Sequence, residues 1–121
     1  MDLLLSSGGN SCLKEEQIKI LHQHMKELFN GVGKVLFISY AQKDQRDYTR
    51  KVREKWWPLN ETEIIGIEEF EKPMEAIMNS EGIYVGGGNT FLLTKKLQEN
   101  DLISSLRDVV KNGVPFMVVS T

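Results

Sequence analysis

Gly82-Ile83-Tyr84-Val85-Gly86-Gly87-Gly88-Asn89-Thr90-Phe91 joins a short apolar run to the start of a helical pattern. Three glycines and an asparagine, residues 86–89, make the join. Glycine has no Cβ, so it takes positive φ at little cost and lets another molecule approach the backbone. A helix start presents unpaired N–H groups and the positive end of its dipole. Strand, glycine turn and helix start in that order predict a nest for an anion or oxyanion. The same residues also suit a tight turn that only joins strand to helix. Two nucleotide-binding fingerprints are excluded. Phe91 stands where G-x-G-x-x-G needs its last glycine, and no Gly-Lys-Ser/Thr follows.

Upstream of that turn, apolar runs alternate with helical stripes. Strands are expected near residues 2–6, 34–40, 62–67, 82–85 and 115–119. A helix is expected from Leu13 to Asn30, with Ile18, Leu21, Met25, Leu28 and Phe29 on one face and Asn30-Gly31 as its stop. Asp44 is placed to cap a second helix that runs to Trp57 before Pro58 ends it. Tyr48, Val52 and Trp56, at spacing i, i+4, i+8, are expected to face the sheet. Pro73 suits the first turn of a short helix whose apolar side is Met74, Ile77 and Met78. Downstream, Phe91, Leu92, Leu93 and Leu97 mark one helix. Asp101 is placed to cap another, carrying Leu102, Ile103, Leu106, Val109 and Val110, which Asn112-Gly113 stops. This β-α-β-α-β-α-β-α-β order predicts a parallel sheet with helices on both faces. Ligands of such sheets bind beyond the carboxyl ends of the strands. The glycine turn, Ser120, Ser6-Ser7 and Ser39-Tyr40 are all expected there.

The totals narrow the function classes. A length of 121 residues suits a single domain, 1–121. Fifteen basic and 17 acidic side chains give a net charge of −2, with no global field for nucleic acid. Basic residues on the second helix beside Trp56 and Trp57 read as a solvated face, because Asp47 and Glu54 interrupt them. Cys12 is the only cysteine, so one chain holds no internal disulfide and no Cys-built zinc site. His22 and His24 share no face with a second ligand, so neither is expected to bind metal. No apolar run is long enough to span a bilayer, and the amino terminus does not read as a signal peptide.

The run Ile83-Tyr84-Val85-Gly86-Gly87-Gly88-Asn89-Thr90-Phe91 resembles the peptidase E family, cytoplasmic serine peptidases that cleave dipeptides beginning with aspartate. Met1-Asp2-Leu3-Leu4-Leu5-Ser6-Ser7, Asp47-Tyr48-Thr49, Pro73-Met74-Glu75-Ala76-Ile77 and Asp108-Val109-Val110-Lys111-Asn112-Gly113 extend the likeness over nearly the whole chain. The resemblance implies a three-layer α/β/α sandwich like that of class I glutamine amidotransferases, of which this sequence carries the part through the fifth strand. It implies no cofactor, a small Asp-X peptide as partner, and a cytoplasmic location. By the same resemblance, Ser120 matches the nucleophile, Gly88 and Thr121 match the backbone oxyanion donors, and Asn89 lines the pocket. The sequence departs from a G-x-S-x-G elbow, with Val118 at the first glycine position. Neither histidine matches the family's base, and a serine without a base is a weak nucleophile. The resemblance therefore leaves two expectations open: the amino-terminal half of a hydrolase, inert by itself, or an inactive domain kept as a binding module. In isolation Ser120 also reads as a frayed terminal residue. Apolar surface around strand five is expected to lie exposed and to invite self-association through the sheet edge.

Overall fold

The computed structural model describes residues 3–7 and 15–120, and of residues 3–7 and 120 it describes the backbone alone. Within them lie β1 (Leu3–Ser7), α1 (Glu15–Leu28), β2 (Lys34–Ile38), α2 (Gln45–Lys51), β3 (Glu63–Gly66), α3 (Pro73–Met78), β4 (Ile83–Val85), α4 (Thr90–Glu99), α5 (Ile103–Lys111) and β5 (Phe116–Ser120). The strands form one sheet in the order β1-β5-β4-β2-β3, and every pairing is parallel.

That order explains the layering. The chain moves one way along the sheet from β1 to β2 to β3, then back through β4 to β5. Right-handed crossovers that reverse direction must put their helices on opposite faces. The packing shows this. On one face Val35 and Met117 meet Leu21 and Met25 of α1 and Phe29 just past its end, while Phe37 and Ile64 meet Val52. On the other face Leu36, Ile38, Ile83 and Val85 meet Ala76 and Ile77 of α3, Leu102, and Val109 of α5, with Leu93 and Leu97 of α4 against them. Successive residues of β2, β4 and β5 alternate between the two faces, as the pleat requires. Burial of each large aliphatic side chain contributes about 1.5–3 kcal/mol, and Ile77, Ile83 and Leu102 are wholly buried.

Several local signals act as the sequence implies. Asp44 Oδ1 accepts the Asp47 N–H at 3.0 Å and caps α2. Pro73 is at the first turn of α3. Gly31 and Gly113 adopt positive φ past α1 and α5. On the outer face of α2, Arg50 pairs with Asp47 at 2.7 Å and with Glu54 at 3.1 Å, and Lys51 with Asp47 at 3.2 Å.

Other expectations are corrected. Trp56 does not face the sheet. After Lys51 the helix widens into a π turn, Val52–Trp56, closed by the Trp57 N–H on Val52 O at 2.8 Å. One extra residue per turn rotates the following side chains, so Trp57 takes the inward place. Its ring lies 5.9 Å from Phe29 and 5.6 Å from Tyr84, and its Nε1–H donates to Thr62 O. Trp56 is left 42% exposed. Met74 and Met78 of α3 are exposed too, because Ala76 and Ile77 carry that short helix's contact with the sheet. Phe91 is 78% exposed. Asp101 does not cap α5. It takes a left-handed φ of 55°, and the buried Leu102 occupies the cap position. Strand five is not a free edge either, since β1 and β4 pair with it on both sides and the outer strands are β1 and β3.

Candidate active site

All strands run parallel, so their carboxyl ends share one end of the sheet. Val85 of β4 is in register with Ile38 of β2 on one side and Val118 of β5 on the other. The turn at residues 86–89 therefore leaves the sheet between the β2–α2 loop and the end of β5. The connection from β2 goes to one face and that from β4 to the other. This makes the gap between their carboxyl ends a topological switch point, where ligands of open α/β sheets bind. Ser120 ends β5, in register with Ser7 of β1. Thr121 lies outside the described residues.

Each glycine of the turn has its own reason. A Cβ on Gly86 would stand 2.5 Å from Tyr48 Oη and 2.7 and 2.8 Å from two atoms of the Phe37 ring. Gly87 offers its carbonyl to the Tyr48 hydroxyl, which donates to it at 2.7 Å. Gly88 has φ +145°, and a Cβ there would press on Ala41 O at 2.8 Å. Asn89 is exposed and caps α4, its Oδ1 accepting the Leu92 N–H at 3.1 Å. Its own N–H donates to Ala41 O at 2.9 Å. The β2–α2 loop and α2 thus hold the glycine turn at two points.

That support is itself tied down through Glu68, a residue that sequence reading did not single out, by Ser39, expected at this edge of the sheet, and by Thr49. Ser39 and Thr49 are buried, and both hydroxyls donate to Glu68 Oε1, at 2.7 and 2.5 Å. The carboxylate lies over Gly66, where any Cβ would collide with it. The network joins the end of β2, α2 and the 3₁₀ turn Ile67–Glu69 that follows β3. Glu68 Oε2 is buried with no partner among the described residues. Burial, and secondarily the Glu68 charge, pushes the Tyr40 hydroxyl above its usual range. Tyr48 packs edge-on against Phe37 at 5.0 Å, and burial pushes its pKa up to about 12. It stays protonated, and so a hydrogen-bond donor, at neutral pH. The only sequence signal for this role was the Asp47-Tyr48-Thr49 segment, whose partners are tens of residues away.

Neither histidine reaches this end of the sheet by way of a strand. Both lie on α1, His22 half-buried and His24 exposed. No group of three or more His, Cys, Asp or Glu capable of holding a metal ion occurs among the described residues. No described helix is long and apolar enough to cross a membrane. A groove of about 610 Å³ lies elsewhere, between α3 and β2, lined by Lys34, Leu36, Phe70, Glu75 and Ala76.

Comparison with known proteins agrees with this geometry. The chain is 35% identical over 119 residues to Peptidase E of Shewanella denitrificans, covering 95% of this chain and 48% of the relative. It is 36% identical over 118 residues to Peptidase E of a Nostoc species, with the same coverage of 95% and 48%. It is 39% identical over 95 residues to Peptidase E of Salmonella arizonae, covering 77% and 41%. The chain spans about half the length, 48%, of the first two of these curated relatives. A crystal structure of a Listeria monocytogenes EGD-e protein, described provisionally as Peptidase E, superposes with a TM-score of 0.65. That match is at 18% identity and covers 99% of this chain and 58% of the other, so it speaks to fold alone. Residues 3–121 match the model of peptidase family S51, and this chain belongs to that family.

Proposed function

We propose that this chain carries the nucleophile and the oxyanion donors for serine-type hydrolysis of dipeptides that begin with aspartate. In this reading Ser120 attacks the carbonyl of the Asp-X bond. The backbone amides of Gly88 and Thr121 bind the oxyanion, and Asn89 lines the pocket through its side-chain amide. Developing charge between two fixed N–H donors is stabilised far more than in water. One observation above all supports the reading: β4 and β5 are parallel, hydrogen-bonded neighbours, so Ser120 and the glycine turn leave the sheet side by side. Family membership and the Peptidase E relatives support it further. In this reading the reaction takes place in the cytoplasm.

These 121 residues hold no histidine or acid matched to the family's base and its partner. Their activity alone is therefore expected at background, because removing triad members lowers the rate by orders of magnitude. The test is release of free aspartate from Asp-Leu by this chain and by Ser120→Ala. Equal, background rates are expected. Turnover that Ser120→Ala abolishes would refute the expected inactivity and point to a base among His22, His24 or a second subunit.

A further inference from the structure

β3 is an outer strand, and among the described residues it pairs with β2 alone. An outer strand presents backbone groups that a second chain can extend. In a strand the N–H and C=O of one residue point to one side, and those of the next residue point to the other. The Glu63 N–H donates to Gly33 O at 2.9 Å, so Glu63 and Ile65 address β2. Thr62, Ile64 and Gly66 therefore address the open side.

Three of these outward groups are taken by side chains. Trp57 Nε1–H donates to Thr62 O at 2.8 Å. Arg53 donates to Ile64 O, from Nε at 3.3 Å and from Nη2 at 3.0 Å. Glu69 Oε2 accepts the Gly66 N–H at 2.7 Å. Arg53 Nη2 also donates to Glu69 Oε2 at 2.9 Å, which makes one bridge of the two side chains along the edge. Arg53 comes from the π turn before β3, and Glu69 from the 3₁₀ turn after it. The planar guanidinium has donors enough to serve a carbonyl and a carboxylate at once. A partner strand would have to lie about 4.8 Å from β3, in the space that this bridge fills.

We propose that Arg53 and Glu69 close the β3 edge, so that a second copy of this chain cannot extend the sheet there. The inference is independent of the hydrolase reading. An ordinary surface ion pair would not carry it. Both side chains are nearly half exposed, and such pairs contribute little to stability. What sets this pair apart is that each member also holds an outward backbone group of the same strand. Arg50, on the outer face of α2, pairs with the side chains of Asp47 and Glu54 and holds no strand.

The test compares this chain with Arg53→Ala/Glu69→Ala and, as a control, Arg50→Ala. The double variant loses one charge of each sign, so the net charge stays at −2 and repulsion between copies is unchanged. Sedimentation velocity over a concentration series is paired with amide hydrogen exchange at Ile64, whose N–H faces the open side. The double variant is expected to dimerise, because one edge meeting itself about a two-fold axis closes at two copies. Its Ile64 N–H is expected to exchange about tenfold more slowly where the dimer forms, the scale of one hydrogen bond. In the parent and in Arg50→Ala, Ile64 exchange is expected not to change with concentration, even if copies meet through another surface. A double variant that matches the parent in both measurements overturns the proposal. So does a dimer in which Ile64 gains no protection, or Ile64 protection that rises with concentration in the parent. A further measurement needs no variant. The Gly66 N–H of the parent is expected to exchange more slowly than a free peptide amide. Exchange at the free rate would show that Glu69 does not hold it, and would overturn the proposal whether or not the double variant folds.

Discussion

Replacing Gly86 by alanine adds one methyl group where the structure leaves no room. The new Cβ would lie 2.7 and 2.8 Å from Phe37 ring atoms and 2.5 Å from Tyr48 Oη. Ordinary carbon contacts are about 3.5–4.0 Å, so something must move by most of an ångström. Phe37 is wholly buried and held between the rings of Tyr48 at 5.0 Å and Tyr84 at 5.3 Å. Tyr48, half-buried, moves more easily, but its movement breaks the bond to Gly87 O. Overpacking costs about 1–3 kcal/mol, and the lost hydrogen bond adds about 1 kcal/mol. Gly86→Ala is therefore expected to destabilise the fold by about 2–4 kcal/mol. Urea unfolding measures this, with the slope m unchanged if only native packing is affected. Tyr48→Phe alone is expected to cost about 1 kcal/mol. The double variant should cost less than the sum, because removing Oη relieves part of the clash. A Gly86→Ala loss below about 0.5 kcal/mol, the scale of a neutral surface change, or strict additivity of the pair, refutes this account of the glycine.

Three further outcomes follow from the same structure. Tyr40, Tyr48 and Tyr84 are the three tyrosines, and burial raises the pKa of each. A raised pKa means stability held in full below the usual value near 10 and lost as pH climbs through the folded value, about 12 for Tyr48. Absorbance titration should show tyrosinate forming at higher pH than for free tyrosine, coupled to unfolding; a titration matching free tyrosine contradicts it. Trp57→Ala should cost about 3–5 kcal/mol, whereas Trp56→Ala should cost about 1 kcal/mol or less, as befits an exposed side chain; equal losses in chemical denaturation would refute the π-turn assignment. Asn89→Ala removes the α4 cap and should cost about 1 kcal/mol, while Asn89→Asp keeps an acceptor at the helix start and should not; a neutral Asn89→Ala in thermal unfolding would deny the cap.

The sheet was legible because its strands are apolar runs of the right length, separated by helical stripes. Parallel pairing, buried on both faces, needs no alternation of polar residues, and Val35-Leu36-Phe37-Ile38 shows none. Helix stops at Gly31 and Gly113 and the cap at Asp44 were legible because they are local. Trp56 was misplaced because a π turn breaks the 3.6-residue period, and no local signal announces it. Asp101 was misread for a similar reason: its left-handed φ places Leu102 at the cap. The glycine turn was legible as a site but not in its workings. Gly86, Gly87 and Gly88 answer to Tyr48, Phe37 and Ala41, side chains and a carbonyl brought in from other elements. The Ser39–Thr49–Glu68 network is of the same kind, joining residues 19 and 29 positions apart.

The claim that Ser120 and the glycine turn form the catalytic half of an Asp-X dipeptidase has one direct test. Residues 1–120 are joined to the carboxyl-terminal half of a curated Peptidase E, and aspartate release from Asp-Leu is measured with and without Ser120→Ala. The predicted result is turnover that vanishes in Ser120→Ala. A folded chimera that releases no aspartate, or one indifferent to Ser120→Ala, would contradict the claim.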